Sequence, residues 1–316
     1  MSTELLAVKH LKKYFKTPKG LLHAVDDVTF SIDEGKTLGV VGESGCGKST
    51  LGRTILHLLD PTDGEILFEG QDISKMDAKD FKESRQKMQI IFQDPYSSLN
   101  PRMTVEDIIT EPLLIFNTHP DKEERKRYVR QLMDAVGLAE RLARSYPHEL
   151  DGGRRQRIGV ARALALKPKF IVCDEPVSAL DVSIQAQILN LMQDLQESMG
   201  LTYLFITHDL SVVKHVSNDI CVMYLGKMVE KCPTEELFRN TCHPYTEALL
   251  SAIPIPVPHA AENRILLKGE LSSPINPKPG CRFAPRCPKA CQKCFEQSPE
   301  LHSVGPDHVV ACHLYG

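Results

Sequence analysis

Between Gly42 and Thr50 the chain carries a spacing with a chemical meaning: Gly42, Glu43, Ser44, Gly45, Cys46, Gly47, Lys48, Ser49, Thr50. Glycines at these intervals let successive backbone N–H groups turn inward as a nest for an anion. A helix that starts directly afterwards adds its positive end. Lys48 then reaches β- and γ-phosphates, and the Ser49 hydroxyl suits Mg²⁺, so the cradle fits ATP or GTP. Cys46 contributes its backbone N–H, and its thiol reads as incidental. Far downstream, Phe170–Cys173 is an apolar run that ends in Asp174 and Glu175. A buried strand ending in an acid suits a water-mediated Mg²⁺ contact, which assigns that role to Asp174. Glu175, one residue on, would poise the attacking water. Cys173 reads as a small buried hydrophobe.

These groups need a scaffold that ends strands next to helix starts. Thr37–Val41 is a short continuous apolar run of the kind found in buried parallel strands. It leads through the glycine turn into a helix expected over about 48–59. Leu5–Val8 and Val25–Ile32 read as half-buried strands joined by a loop at Thr17–Gly20. Further strands are expected at 65–68, 89–92, 170–173, 203–207, 220–224 and 228–230, with helices at 184–199 and 210–216. Strand–helix alternation means a parallel sheet covered by helices. Between about 95 and 165 helical periods dominate, which reads as a helical insertion. Prolines 254, 256, 258, 274, 277 and 279 then mark a linker over 253–280 that holds neither regular helix nor central strand. A cysteine-rich tail, 281–316, follows.

Composition narrows the class. With 42% hydrophobic and 25% charged residues the chain is ordinary for a globular protein. A net charge of −3 argues against a dedicated nucleic-acid binder. No run of about 18 apolar residues is present, and the first residues lack the apolar core of a signal peptide. Both lead to the expectation of a cytoplasmic chain, where ten cysteines mean metal, catalysis or packing rather than disulfides. Half of them, Cys281, Cys287, Cys291, Cys294 and Cys312, fall within 32 residues. The spacings x5, x6 and x17 of Cys281, Cys287, Cys294 and Cys312, with Cys291 as a fifth candidate, match neither a zinc ribbon nor a ferredoxin run. All-sulfur ligation suits Zn²⁺ or an iron–sulfur cluster.

Together these motifs resemble the ABC ATPase family, and the match covers nearly the whole chain. The family's signature, usually Leu-Ser-Gly-Gly-Gln, reads here Leu150, Asp151, Gly152, Gly153, Arg154. The lid-loop glutamine corresponds to Gln93, the loop after the magnesium strand to Ser178–Asp181, and the switch histidine to His208. The resemblance implies an α/β nucleotide-binding domain over 1–252: a RecA-like parallel-sheet core, an antiparallel β subdomain and the helical insertion, followed by the small Cys-rich domain. It implies two such subunits closing head to tail, each ATP held by one subunit's phosphate loop and the other's signature. Glu175 would polarise water, His208 would hold the γ-phosphate, and Gln93 would sense Mg²⁺ and couple to the membrane partner. An aromatic ring stacks on adenine in this family. Phe15 is taken for that role over Tyr14.

Within the family the chain is similar to the ATPase subunits of dipeptide and oligopeptide importers, as seen in Pro95–Pro101, Asp174–Val182, His243–Thr246 and the cysteine tail. Nickel importers of the same branch look similar. The branch implies a second, different ATPase chain, two membrane-spanning permease subunits and an extracytoplasmic binding protein, with this subunit peripheral on the cytoplasmic face of the cell membrane. It also favours [4Fe–4S] over Zn²⁺ in the tail, in a structural role. Two other classes fit less well. Soluble ABC ATPases of ribosomes or DNA carry two phosphate loops or a long coiled coil, and an iron–sulfur redox protein would carry a flavin or second-cluster motif. The chain departs from the family at Asp151, where a serine donates to the γ-phosphate bound on the opposite subunit. An aspartate there caps a helix as well as serine does but repels phosphate.

Overall fold

Among the described residues, nine strands form where the sequence predicts them, a two-residue strand at Gln71–Asp72 joins them, and two more arise in the tail, where no run announced them. The computed structural model describes residues 3–77, 79–253, 264–267, 269 and 273–316, with Pro95 described by its backbone alone. The linker prolines 254, 256 and 258 lie outside the described residues. The strands are β1 (Glu4–Thr17), β2 (Gly20–Asp33), β3 (Thr37–Val41), β4 (Asp63–Phe68), β5 (Gln71–Asp72), β6 (Met88–Ile91), β7 (Phe170–Asp174), β8 (Thr202–Thr207), β9 (Asp219–Tyr224), β10 (Lys227–Pro233), β11 (His302–Gly305) and β12 (His308–Val310). The chain forms two compact units. The first is Lys75–Leu204 with Asp33–Lys36 and Thr3; the second is Glu4–Ile32, Thr37–Ser74 and the described part of Phe205–Gly316.

In the second unit an antiparallel sheet runs β2-β1-β4-β5, with Leu6 opposite Phe68 and Val8 opposite Ile66. Leu5–Val8 are all buried, so the expectation of a half-buried strand there is corrected: this stretch of β1 is covered on both faces. A second run of strands goes β11-β12-β10-β9-β3. β3 lies parallel to β9, with Val40 opposite Cys221, and every residue of β3 is buried. Beyond β9 the sheet turns antiparallel: β10 pairs with β9 and β12 with β10. The last two strands come from the tail, which therefore extends the same sheet that carries the phosphate loop. The end of the linker is pinned to β2. The His23 N–H donates to the Pro274 carbonyl at 3.0 Å, the Asn276 N–H to the Leu21 carbonyl at 2.9 Å, and Ile275 bridges Leu22.

The helix after β3 covers Lys48–Ile55 and stops short of Leu59. His57 takes φ 51, and the N–H groups of Leu58 and Leu59 both fold back to the Arg53 carbonyl. A left-handed residue followed by such returns closes a helix.

In the first unit β6 and β7 pair in parallel, with Ile90 opposite Val172. The expected helical part contains Val105–Phe116, Lys122–Ala135 and Gly152–Leu164. Thr104 and Asp107 form a reciprocal capping box at the first of these, which satisfies two otherwise unpaired donors. Among the described residues no helix is long and apolar enough to cross a membrane.

Candidate nucleotide-binding site

The phosphate loop leaves the buried end of β3 and enters the helix Lys48–Ile55 through Gly47, whose φ is 107. Two of its glycines are dictated by close approach. A Cβ at Gly42 (φ 155) would lie 2.2 Å from the Met223 carbonyl oxygen, and one at Gly47 would lie 2.0 Å from that of Ala24. Only glycine fits either position. Lys48 is buried, and its ammonium lies across the loop, donating to the carbonyls of Gly42 at 2.8 Å and Glu43 at 3.1 Å. Cys46 is buried too, with its Sγ 3.9 Å from the Lys48 Nζ. Burial pushes that thiol up, against the pull of Lys48, which keeps it a neutral packing group. Its carbonyl accepts from the Gly226 N–H at 2.7 Å and ties the loop to the β9–β10 turn. Ser44, Gly45, Ser49 and Thr50 complete the loop and the first helical turn.

In the same unit His208 follows β8 directly and is exposed. Asp209 caps the next helix, Leu210–Val216, by accepting from the Ser211 N–H at 2.8 Å. On β1, Tyr14 and Phe15 point to opposite faces. Tyr14 stacks on His23 with ring centroids 4.0 Å apart, and its hydroxyl donates to Asp26 at 2.5 Å. Phe15 stays half-buried with the Lys13 ammonium 5.0 Å above its ring. Burial works against charge on Asp26. The hydrogen bond from Tyr14 and the positive charges of Lys227 and Arg282 nevertheless hold its carboxyl below the ordinary range.

In the first unit the acidic end of β7 is well defined. Asp174 is 1% exposed. Glu175 takes a left-handed backbone, φ 49, a conformation that costs a non-glycine residue about 1–3 kcal/mol and clusters at functional sites. Its Oε2 accepts from the Gln93 amide at 2.8 Å, so two residues 82 positions apart that were singled out by motif are in contact. The Glu175 carbonyl accepts from the Ser178 hydroxyl at 3.1 Å, and Asp181 is the residue before the helix Val182–Met199. Asp151 is exposed and caps the helix Gly152–Leu164, its Oδ1 accepting from the Arg154 N–H at 2.8 Å. The Arg154 guanidinium lies 3.4 Å from its Oδ2. A Cβ at Gly152 or Gly153 would crowd a side-chain end, 3.1 Å from Leu180 Cδ2 and 2.7 Å from Ile184 Cγ2, respectively.

The tail cysteines converge. Cys281, Cys287, Cys291, Cys294 and Cys312 all line one small cavity with His243, Phe283 and His313. Cys291 Sγ lies 3.5 Å from Cys294 Sγ. Sequence spacing left Cys291 as an extra candidate, and the fold brings it to the other four. Sequence reasoning missed a neighbouring group altogether. Glu230, fully buried in β10, accepts from the N–H groups of Cys242 at 2.8 Å and His243 at 3.0 Å, and pairs with His308 Nε2 at 2.9 Å. Glu230, Cys242 and His308 are the one group of three such side chains, among the described residues, whose ligand atoms lie within 4.8 Å of one another. The only signal for it was an acid in an apolar strand. His243 is buried in the same place, which pushes its pKa down to about 4 and keeps the ring neutral.

The chain is similar to known proteins. A family model described as "ABC transporter" matches residues 25–178, and one described as "Oligopeptide/dipeptide transporter, C-terminal region" matches residues 229–294. The oligopeptide transport ATP-binding protein AppF of Bacillus subtilis is 54% identical, over 98% of this chain and 97% of its own length. The dipeptide transport ATP-binding protein DppF of Haemophilus influenzae is 50% identical, over 98% of this chain and 97% of its own. Among solved structures, a dimeric bacterial ABC transporter cassette superposes with a TM-score of 0.67 at 30% identity, covering 73% of this chain and 99% of the cassette.

Proposed function

The chain belongs to the ABC transporter ATP-binding proteins, in their oligopeptide and dipeptide transport branch, and from that membership we propose that it hydrolyses ATP to drive uptake of peptides. The observation that carries this reading is the pairing of a sterically dictated phosphate loop with full-length relatives named as peptide transport ATP-binding proteins. The residue roles follow phosphoryl-transfer chemistry, which is positioning and charge stabilisation. The amides of Gly42–Thr50 and Lys48 take the phosphates, Ser49, Gln93 and Asp174 serve Mg²⁺, Glu175 orients water, and His208 meets the γ-phosphate. Gly152, Gly153 and the Asp151 cap form the signature that a second ATPase subunit's nucleotide meets, and Asp181 belongs to the loop facing it. Phe15 stacks on adenine, a role favoured by the commitment of Tyr14 to His23 and Asp26. The partners are a second, different ATPase chain and two permease subunits, fed by an extracytoplasmic binding protein, with this chain on the cytoplasmic face of the membrane. Residues 1–252 act as the ATPase domain, with the helical part over about 95–165. Reconstitution with the permeases should give MgATP-dependent uptake of a labelled peptide that Lys48→Ala abolishes. Uptake of Ni²⁺ with no peptide uptake would overturn the peptide assignment.

We further propose that the tail, 281–316 after the linker 253–280, is a Cys-rich domain that holds a [4Fe–4S] cluster. Four of its five converging cysteines would serve as ligands: Cys281, Cys287, Cys294 and Cys312. The five cysteines line one cavity and supply the all-sulfur ligands that such a cluster takes, and the resemblance to the peptide-importer branch supports the cluster over Zn²⁺. Bound there, the cluster would cross-link the tail. Anaerobically purified protein is expected to be brown with broad absorption near about 400 nm, lost in Cys281→Ser. A colourless protein with one tightly bound zinc would overturn the cluster.

A further inference from the structure

Glu43, the second residue of the phosphate loop, is held from outside the loop by two residues far along the chain. Its N–H donates to the Tyr245 hydroxyl at 2.9 Å. Its carboxylate accepts from both terminal nitrogens of Arg286, at 2.8 and 3.2 Å. This two-point pair is partly shielded: the Arg286 side chain is 11% exposed and that of Glu43 29%. Arg286 ends the short turn Ala284–Arg286 and directly precedes Cys287. The same turn is anchored by Phe283, fully buried against the edges of Tyr224 and Tyr245. Four residues before Arg286, Arg282 pairs with Asp26 and donates to the Leu225 carbonyl. The cysteine-rich segment thus delivers two arginines to the strands and turns that flank the loop.

We propose that Arg286 is a positioning residue for the nucleotide site: through Glu43 it fixes the phosphate loop, so that the folded tail sets how tightly this chain holds nucleotide. The inference rests on the ATP reading of the loop. Loop amides that already point at the phosphates spare the ordering cost of binding. A planar guanidinium held on a packed turn restrains the carboxylate in direction as well as distance. The pair also neutralises a carboxylate carried by the very loop that receives a polyphosphate, where a free negative charge would oppose the ligand. Isolated surface pairs contribute little, but this one is two-point, partly shielded and backed by the Tyr245 contact on the same residue.

The test is equilibrium binding of MgADP to the full-length chain, with ATP turnover measured in the assembled transporter. Arg286→Ala is expected to weaken MgADP binding about tenfold and to raise KM for ATP in step, with kcat within about twofold. Arg286→Lys, which keeps the charge without the two-point geometry, should fall between. In a Glu43→Gln background Arg286→Ala should cost less than about twofold, because the partner through which it acts is gone. Metal content of the cysteine tail should not change in any of these variants. Unchanged binding in Arg286→Ala overturns the proposal, as does a loss that persists in full in the Glu43→Gln background or tracks loss of tail metal. If Arg286→Ala does not fold, Arg286→Lys decides, and wild-type affinity there overturns it. A wild-type chain that fails to bind MgADP would overturn the ATP reading itself, an outcome distinct from wild-type binding with an indifferent Arg286.

Discussion

Glu175→Gln is expected to lower ATP turnover of the assembled transporter by at least about a hundredfold, the scale of a positioned general base, while ATP binding persists. The glutamine keeps the shape of the side chain and loses its charge and basicity. Gln93 already donates to the Glu175 carboxylate at 2.8 Å, which orients it, and the left-handed backbone at Glu175 aims it off the end of β7. A group that orients water must keep its direction as well as its charge, and this one is held by both. Binding does not need the carboxylate, so nucleotide should accumulate unhydrolysed and trap the closed pair of ATPase subunits. Turnover within about threefold of wild type would remove Glu175 from the role. The measurement belongs in the intact transporter, because the proposed head-to-tail pair completes the Glu175 site with a second subunit.

Asp151→Ser should raise the hydrolysis rate at the partner's nucleotide site by about tenfold or more. The reason is charge. At about 4 Å and an effective dielectric near 20, a unit negative charge facing phosphate costs about 4 kcal/mol for each like charge, an upper guide. Arg154, 3.4 Å from the Asp151 carboxylate, offsets part of it. Serine preserves the cap, since its hydroxyl can accept from the Arg154 N–H as the Asp151 carboxylate now does at 2.8 Å, so helix stability should not fall. The wild-type pair is then asymmetric: the phosphate loop of this chain works against the partner's signature, and the site completed by Asp151 turns over slowly. Measured rates and nucleotide occupancy that stay the same in Asp151→Ser would reduce Asp151 to a helix cap.

What could be read from the chain alone was local chemistry. The spacing of Gly42, Gly47, Lys48 and Ser49 is legible because the loop's function depends on backbone conformation over nine consecutive residues, and glycine reports conformation directly. The acidic end of β7 is legible for a similar reason, as a buried run stopping at two carboxylates. Signature, lid glutamine and switch histidine were assigned by resemblance to the family's motifs. The end of the first helix at Ile55 was not: it depends on a left-handed His57, and histidine carries no strong signal for that conformation.

Tertiary structure alone decided which distant groups meet. Gln93 and Glu175 are 82 residues apart, Glu230 and His308 are 78 apart, and Glu43 and Arg286 are 243 apart. Sequence periodicity reports which face of a helix or strand is buried, not which partner covers it, so a lone arginine between cysteines gave no hint that it clamps the phosphate loop. The strands β11 and β12 escaped notice because four- and three-residue strands are too short to show alternation. They exist because β10 offers an edge for pairing. Residue types and short-range spacing therefore determined the reaction, and the long-range pairing of strands decided that the cysteine tail is built onto the sheet that carries the phosphate loop.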